Sequence, residues 1–266
     1  MDFGFKGAPN SDLAAKLADS APKKPSNFSG FVMDGAAMTL NQSGSISGED
    51  AANYTTVLSD LVPSMMEELG YESDLSDENL DAIEKAMLTI VEVAEETLQN
   101  GVIDMGAVIM IDEEDVNFAM GMQLTNPKKL ESAVKELSKM AEEMVPGQLD
   151  INLNSGSYKD VTLHTINVDV SDGPDEMQEV LGSSIAMVIG IGMDTAYMGV
   201  GTNPESIIKK AMDASAKSKG KGKSQSPAMA MSFNLVPMLE MAGRVNDDPM
   251  MDTLIDTLKE SGSSGI

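Results

Sequence analysis

The chain has 266 residues, no cysteine, and 43 acids against 18 basic residues, for a formal charge of −25. So acidic a surface repels nucleic acid and anionic membranes, whose recognition needs clustered Lys and Arg. The missing thiols exclude disulfides, thiolate metal sites and cysteine nucleophiles. No run approaches the roughly 18 apolar residues of a membrane span, and Met1–Lys6 has no apolar signal core. With 23 Met, no Trp and 4% aromatics, the core is expected to be built from Met, Leu, Ile and Val.

In chain order, residues 1–30 carry Pro9, Pro22 and Pro25 among polar residues and predict a loosely held N-terminal arm, with a short helix at Asp12–Ala18. One α+β domain is expected over 31–266. Phe31–Leu40 is apolar and Gly-interrupted, which predicts a strand, and 42–48 reads as a turn. Ser47-Gly-Glu-Asp then opens a helix through Tyr54, Val57, Leu58 and Leu61, which Pro63 kinks or restarts. Ser76 or Asp77 starts the longest helix. Leu80, Ile83, Met87, Ile90, Val91, Ala94 and Leu98 form its stripe, and Gly101 ends it. Glu84, Glu92, Glu95 and Glu96 make its other face a solvated one.

An internal repeat follows. Gly106–Ile111 and Val116–Leu124 flank Asp112-Glu113-Glu114-Asp115, and Thr125-Asn126-Pro127 leads into an amphipathic run. Ser184–Ile191 and Thr195–Gly201 flank Gly192–Asp194, and Thr202-Asn203-Pro204 leads into another. Ala119-Met-Gly-Met lies over Tyr197-Met-Gly-Val. Apolar runs bounded by turn residues predict β-hairpins. Asn before Pro predicts a helix start, with Asn as N-cap and Pro in the first turn. The units span 103–146 and 183–217. Between them lie a strand pair, Leu149–Asn154 and Val161–Val170, and a short helix at 175–182. The apolar phase of the second strand changes near His164, which predicts a β-bulge there. Lys217–Pro227 predicts a flexible basic loop, Ala228–Leu235 a strand, and 237–242 and 248–258 helices. The fold class is therefore α+β: a largely antiparallel sheet from repeated hairpin-helix units, with helices mainly on one face.

No catalytic constellation stands out. His164, the lone histidine, is the natural general base or metal ligand, but it lies inside a strand with no second histidine. Gly222-Lys223-Ser224 lacks the upstream glycine of a phosphate loop. Asp169–Glu176 fails the calcium-loop pattern at Gly173 and Pro174. Asp112, Glu113, Glu114 and Asp115 crowd hard oxygen ligands and are the candidate for weak calcium binding. Met120/Met122, Met229/Met231 and Met238/Met241 offer thioethers, but their spacing suits core filling. No cofactor motif is present.

The alternation of hairpins and capped helices over about 103–240, with joints such as Met198–Ser206, resembles uncharacterised exported bacterial proteins built from repeated strand-strand-helix units. That resemblance implies an extracytoplasmic location, in the periplasm or at the cell surface, and no known enzymatic activity. The expected function is a non-catalytic binding or interaction module whose partner is a protein or small apolar ligand, with weak divalent cations as a further candidate. The alternatives are a carrier of an apolar ligand in a Met-lined cavity and a hydrolase using carboxylates or Ser.

Overall fold

The computed structural model describes residues 11, 21–22, 24–72, 75–112, 115–145, 147–171, 173, 178, 182–219, 228–245 and 249–261. A 3-10 turn at Ser29–Phe31 precedes β1 (Met38–Ser45), α1 (Gly48–Glu72) and α2 (Asp77–Gln99). The first repeat supplies β2 (Val102–Ile111), β3 (Val116–Gln123) and α3 (Pro127–Met144). Then come β4 (Leu149–Tyr158) and β5 (Val161–Asp169). The second repeat supplies β6 (Ser184–Ile191), β7 (Thr195–Gly201) and α4 (Pro204–Lys219). The chain closes with β8 (Met229–Phe233), α5 (Leu235–Val245) and α6 (Pro249–Ser261). All eight strands join one sheet in the order β4-β5-β6-β7-β3-β2-β1-β8, and each pairing is antiparallel. The α+β class and the helix start after each Thr-Asn-Pro are as the sequence predicts.

The two repeats meet at the centre of the sheet, where β3 pairs with β7. Met120 stands opposite Met198, Ala119 opposite Gly199 and Gly121 opposite Tyr197. The repeat equates Met120 with Met198, Ala119 with Tyr197 and Gly121 with Gly199, so the pairing is symmetric about Met120–Met198 and the hairpins are related by a two-fold axis through that pair. The helices break that symmetry. Two residues separate Gly201 from Pro204, and three separate Gln123 from Pro127. Because side chains alternate along a strand, one added residue reverses the face to which the following segment turns. The added residue is Leu124, which is 4% exposed and packs with Val93, Ile191 and Ala196. Accordingly α2 and α3 lie on one face, over Met122 and Ile189. Helix α4 lies on the other, where Ile207, Ile208, Ala211 and Met212 meet Val108, Ala119, Val188 and Tyr197. The expected gathering of helices on one face holds for α2 and α3, with α1 packed outside them on α2, while α4 crosses over.

The face under α4 is lined by glycine where bulk is brought in from elsewhere. A Cβ on Gly121 would stand 2.7 Å from the Phe28 ring, and one on Gly106 would stand 2.8 Å from the Phe28 carbonyl oxygen. Phe28 and Phe31 are fully buried there, with Tyr197 against both. Ser26 and Asn27 secure the approach: Ser26 Oγ donates to Asp104 Oδ1 at 2.6 Å, and Asn27 N donates to Asp104 Oδ2 at 2.8 Å. The final residues of the expected loose arm are thus the centre of this core; the expected helix at 12–18 lies outside the described residues. The turn that follows, with Gly35 at φ 78°, delays β1 to Met38, so the strand occupies the stretch expected as a turn. Its inward residues Thr39, Asn41 and Ser43 are polar and buried. Asn41 donates to Ser26 Oγ and Met105 O, and Thr39 bonds Ser232.

Other expectations shift with identifiable causes. Helix α1 runs through Pro63 unbroken; the proline sits on an exposed face. The buried positions of α2 are Ala86 and Val93, while Ile90 is exposed, so its core stripe is rotated from the expected one. Asn126 makes no side-chain cap bond. The threonines do the anchoring instead: Thr125 N donates to Thr97 Oγ1 on α2, and Thr202 Oγ1 donates to Asp115 Oδ1 on the β2–β3 turn. Lys217–Lys219 complete α4, and 220–227 lie outside the described residues, as does most of the expected helix at 175–182.

Phe28→Ala is expected to destabilise the fold by about 3–4 kcal/mol, because it empties a site that neighbouring glycines leave open. Urea unfolding measures this; a loss under about 1 kcal/mol would mean that the segment is not part of the core.

Candidate functional site

The phase change at His164 resolves into a bulge on the partner strand. Strand β5 pairs with β6 without interruption. The register against β4 shifts between Asn152 and Gly156, Asn154 takes φ 58°, and the hairpin tip moves to Lys159-Asp160, both at positive φ. That two-residue tip has the backbone of a primed turn. His164 is fully buried and organises the bulge: Asn154 N donates to its Nδ1 at 3.1 Å. The neutral ring therefore carries its proton on Nε2. That nitrogen faces α3, where Glu131 Oε1 lies 3.8 Å away, beyond hydrogen-bond range, and no protein atom pairs with it. Glu131 is itself held by Lys135 at 2.5 Å. Burial lowers the His164 pKa, Lys135 lowers it further, and Glu131 opposes them. Protonation would also set an Nδ1–H against the Asn154 N–H. Through Nδ1, His164 holds the bulge of edge strand β4.

The calcium candidates are divided. Asp112 and Asp115 close the hairpin on themselves, Asp115 N donating to Asp112 Oδ1 at 2.8 Å, and the Asp115 carboxylate also accepts from Thr202. Glu113 and Glu114 lie outside the described residues. Among the described residues no group of three or more His, Asp or Glu is placed to hold a metal. Gly222–Ser224 falls outside the description. Met120 and Met122 belong to the helix-covered face of β3, whereas Met229 and Met231 on edge strand β8 are exposed.

Two clefts lie among the described residues near α1 and the docked arm. One, of about 500 Å³, opens between the first turns of α1 and the last turn of α2, lined by Ala51, Ala52, Thr55, Glu95 and Gln99. The other, of about 430 Å³, opens beside Lys24, Asn27, Asn100 and Gln123. Its floor includes Ser43 and Asp104, which are cross-strand neighbours. Asp104 serves there as the tether of the Ser26–Asn27 segment.

The feature that packing does not account for is the outer side of α1. Ala51 and Val62 are its buried residues. Tyr54, Val57, Leu61 and Met65, at spacings of three, four and four, form a stripe on one side of the helix. They are 51%, 60%, 50% and 46% exposed. Tyr54, Val57 and Leu61, through which the sequence predicts this helix to run, thus face outward. Nearby α2 exposes Leu88 and Ile90. The sequence signal for this was an apolar arc wider than one packing seam: Ala51, Leu58, Val62 and Leu69 form one stripe at helical spacing, and Tyr54, Val57, Leu61 and Met65 form a second beside it.

Comparison with protein-family models, with curated proteins and with solved structures finds no match. Among the described residues no helix is long and apolar enough to cross a membrane.

The histidine generates a pH prediction. The unfolded chain binds a proton near pH 6.5 and the native chain resists it, so the stabilisation is complete above that pH. It declines as pH falls below it, by up to about 1.4 kcal/mol per unit. Urea unfolding at pH 7.0, 6.0 and 5.0 should show this decline, and His164→Gln should flatten it. An unchanged slope in the variant would assign the pH dependence to other groups.

Proposed function

We propose that this chain is a non-catalytic interaction module of an exported protein, and that the outer side of α1 is its binding surface. The observation that carries the reading is the stripe Tyr54, Val57, Leu61 and Met65, each about half exposed on one side of a well-formed helix. Scattered surface apolar residues need no explanation, but a contiguous stripe at helical spacing is the pattern of an interface. The extracytoplasmic location rests on the resemblance of the strand-strand-helix units alone.

Two observations favour this reading over its rivals. The space above the glycines of β2 and β3 is filled by Phe28, Phe31 and Tyr197, which leaves no room there for a carried apolar ligand. His164 spends Nδ1 on a backbone N–H and turns Nε2 under α3, which is no posture for a general base meeting a substrate.

A photo-cross-linking residue placed at Val57 should give a discrete higher-mass adduct in cells of the source organism. The same residue at Lys139, on the exposed side of α3, should not. The absence of an adduct from position 57, or equal labelling at both positions, would end the assignment of this surface.

A further inference from the structure

The charge around the α1 stripe selects the kind of partner. Helix α1 contains Glu49, Asp50, Asp60, Glu67, Glu68 and Glu72 and no basic residue. Helix α2 adds seven acids against Lys85 alone, so the pair carries −12 of the chain's −25. The placement matters as much as the sum. Asp50 lies one turn before Tyr54 and Glu68 one turn after Met65, in line with the stripe. Asp60 and Glu67 run along one flank. All four are exposed. An apolar seam bracketed at both ends and along one side by carboxylates is complementary to a helix with apolar residues at i, i+3, i+4 and i+7 and Lys or Arg beside them.

From this we infer that α1 binds a basic amphipathic helix of a partner protein, which lays its apolar side along Tyr54, Val57, Leu61 and Met65 and its cations against Asp50, Asp60, Glu67 and Glu68. This rests on the interaction reading above and adds the chemistry of the partner. A second copy of this chain is a poor occupant, because two α1–α2 pairs would bring −12 against −12 across a shared seam. A neutral apolar helix would leave the carboxylates beside a dehydrated seam with no counter-charge. A structureless basic segment would satisfy the charge and leave the stripe in water.

The test is a titration of the full chain with three acetylated peptides about five turns long. One is an amphipathic helix of Leu and Lys, the second is its scramble of identical composition, and the third has Glu in place of every Lys. The Leu/Lys helix should bind with a Kd of about 1–50 µM, weakening as NaCl rises, and should gain helicity on binding. The scramble and the Glu peptide should bind at least about tenfold more weakly. In the chain, Val57→Asn with Leu61→Asn should weaken binding by at least about tenfold and leave the melting temperature unchanged, since both side chains are half or more exposed. Asp60→Lys with Glu67→Lys should do the same. Equal binding of helix and scramble, or retention of affinity by the Asn variant, overturns the inference. So does a dimer in sedimentation that the Asn variant dissolves, since the occupant would then be a second copy. If position 57 still forms its cross-link while the Leu/Lys peptide does not bind, the surface stands and the basic-helix partner is wrong.

Discussion

The structure depends on one fitted contact, the seating of Phe28 over Gly106 and Gly121. Either glycine replaced by any other residue would put a Cβ within 3 Å of Phe28. Those two positions on neighbouring strands are bare so that Phe28, supplied by a distant segment, can close on the sheet, its ring against Gly121 and its Cβ and carbonyl against Gly106. The contact has three consequences. It fixes where Tyr197 and Phe31 stand, because both pack on the same ring. It fixes α4, whose Ser215 Oγ accepts the N–H of Gly30; a Cβ on Gly30 would collide with the Ala211 carbonyl at 2.1 Å. It also requires the polar clasp of Ser26, Asn41 and Asp104, since the segment bringing the ring must cross the sheet with its backbone donors satisfied. The apolar gain and the hydrogen-bonded approach therefore stand or fall together.

Much of this architecture is legible in the residues. The repeat, its hairpins, and the helices after Pro127 and Pro204 follow from period and punctuation. So does the α2 start, where Ser76 Oγ accepts from Asn79 N. What resists reading has a common physical cause, which is that the deciding partner is far away in sequence. Strand β1 looks like a turn because Asn41 and Ser43 point inward, and only Ser26 and Met105 explain why Asn41 tolerates burial. The arm looks loose because its proline and serine content describes local chain behaviour, while its anchorage is a carboxylate 78 residues away. The bulge is felt at His164 as a change of phase but lies in the opposite strand, at Asn154, where a polar side chain can accept a left-handed backbone. The candidate site was half visible: its apolar residues were plain, and their direction was not, since a stripe that faces a partner and one that faces the core have the same spacing.

The charge is distributed with a pattern. Lys129 reaches across from α3 to both Glu92 and Glu96 of α2, at 2.8 and 2.6 Å, and these carboxylates raise its pKa. On the opposite side of the sheet, Lys159 and Tyr158 at the β4–β5 tip meet Asp213 of α4. These exposed pairs each contribute little stability, but they place Lys129 and Lys159 where a helix meets its neighbour. The carboxylates of α1 receive no such cation among the described residues. Lys135 and Lys209 pair within their own helices, and none of the ion pairs among the described residues reaches α1.

The extra residue Leu124 has a meaning beyond local geometry. Tandem copies of a hairpin-helix unit, if identical, would send both helices to the same side of the paired strands and leave the reverse side bare to water. One codon of length difference at the strand-to-helix joint removes that difficulty. The two copies then shelter opposite surfaces of the sheet they share, and a duplication becomes a three-layer structure without any change in either hairpin. In such a chain the joint length is the heritable switch for layer number, and the side chains on either side of it need only adapt afterwards.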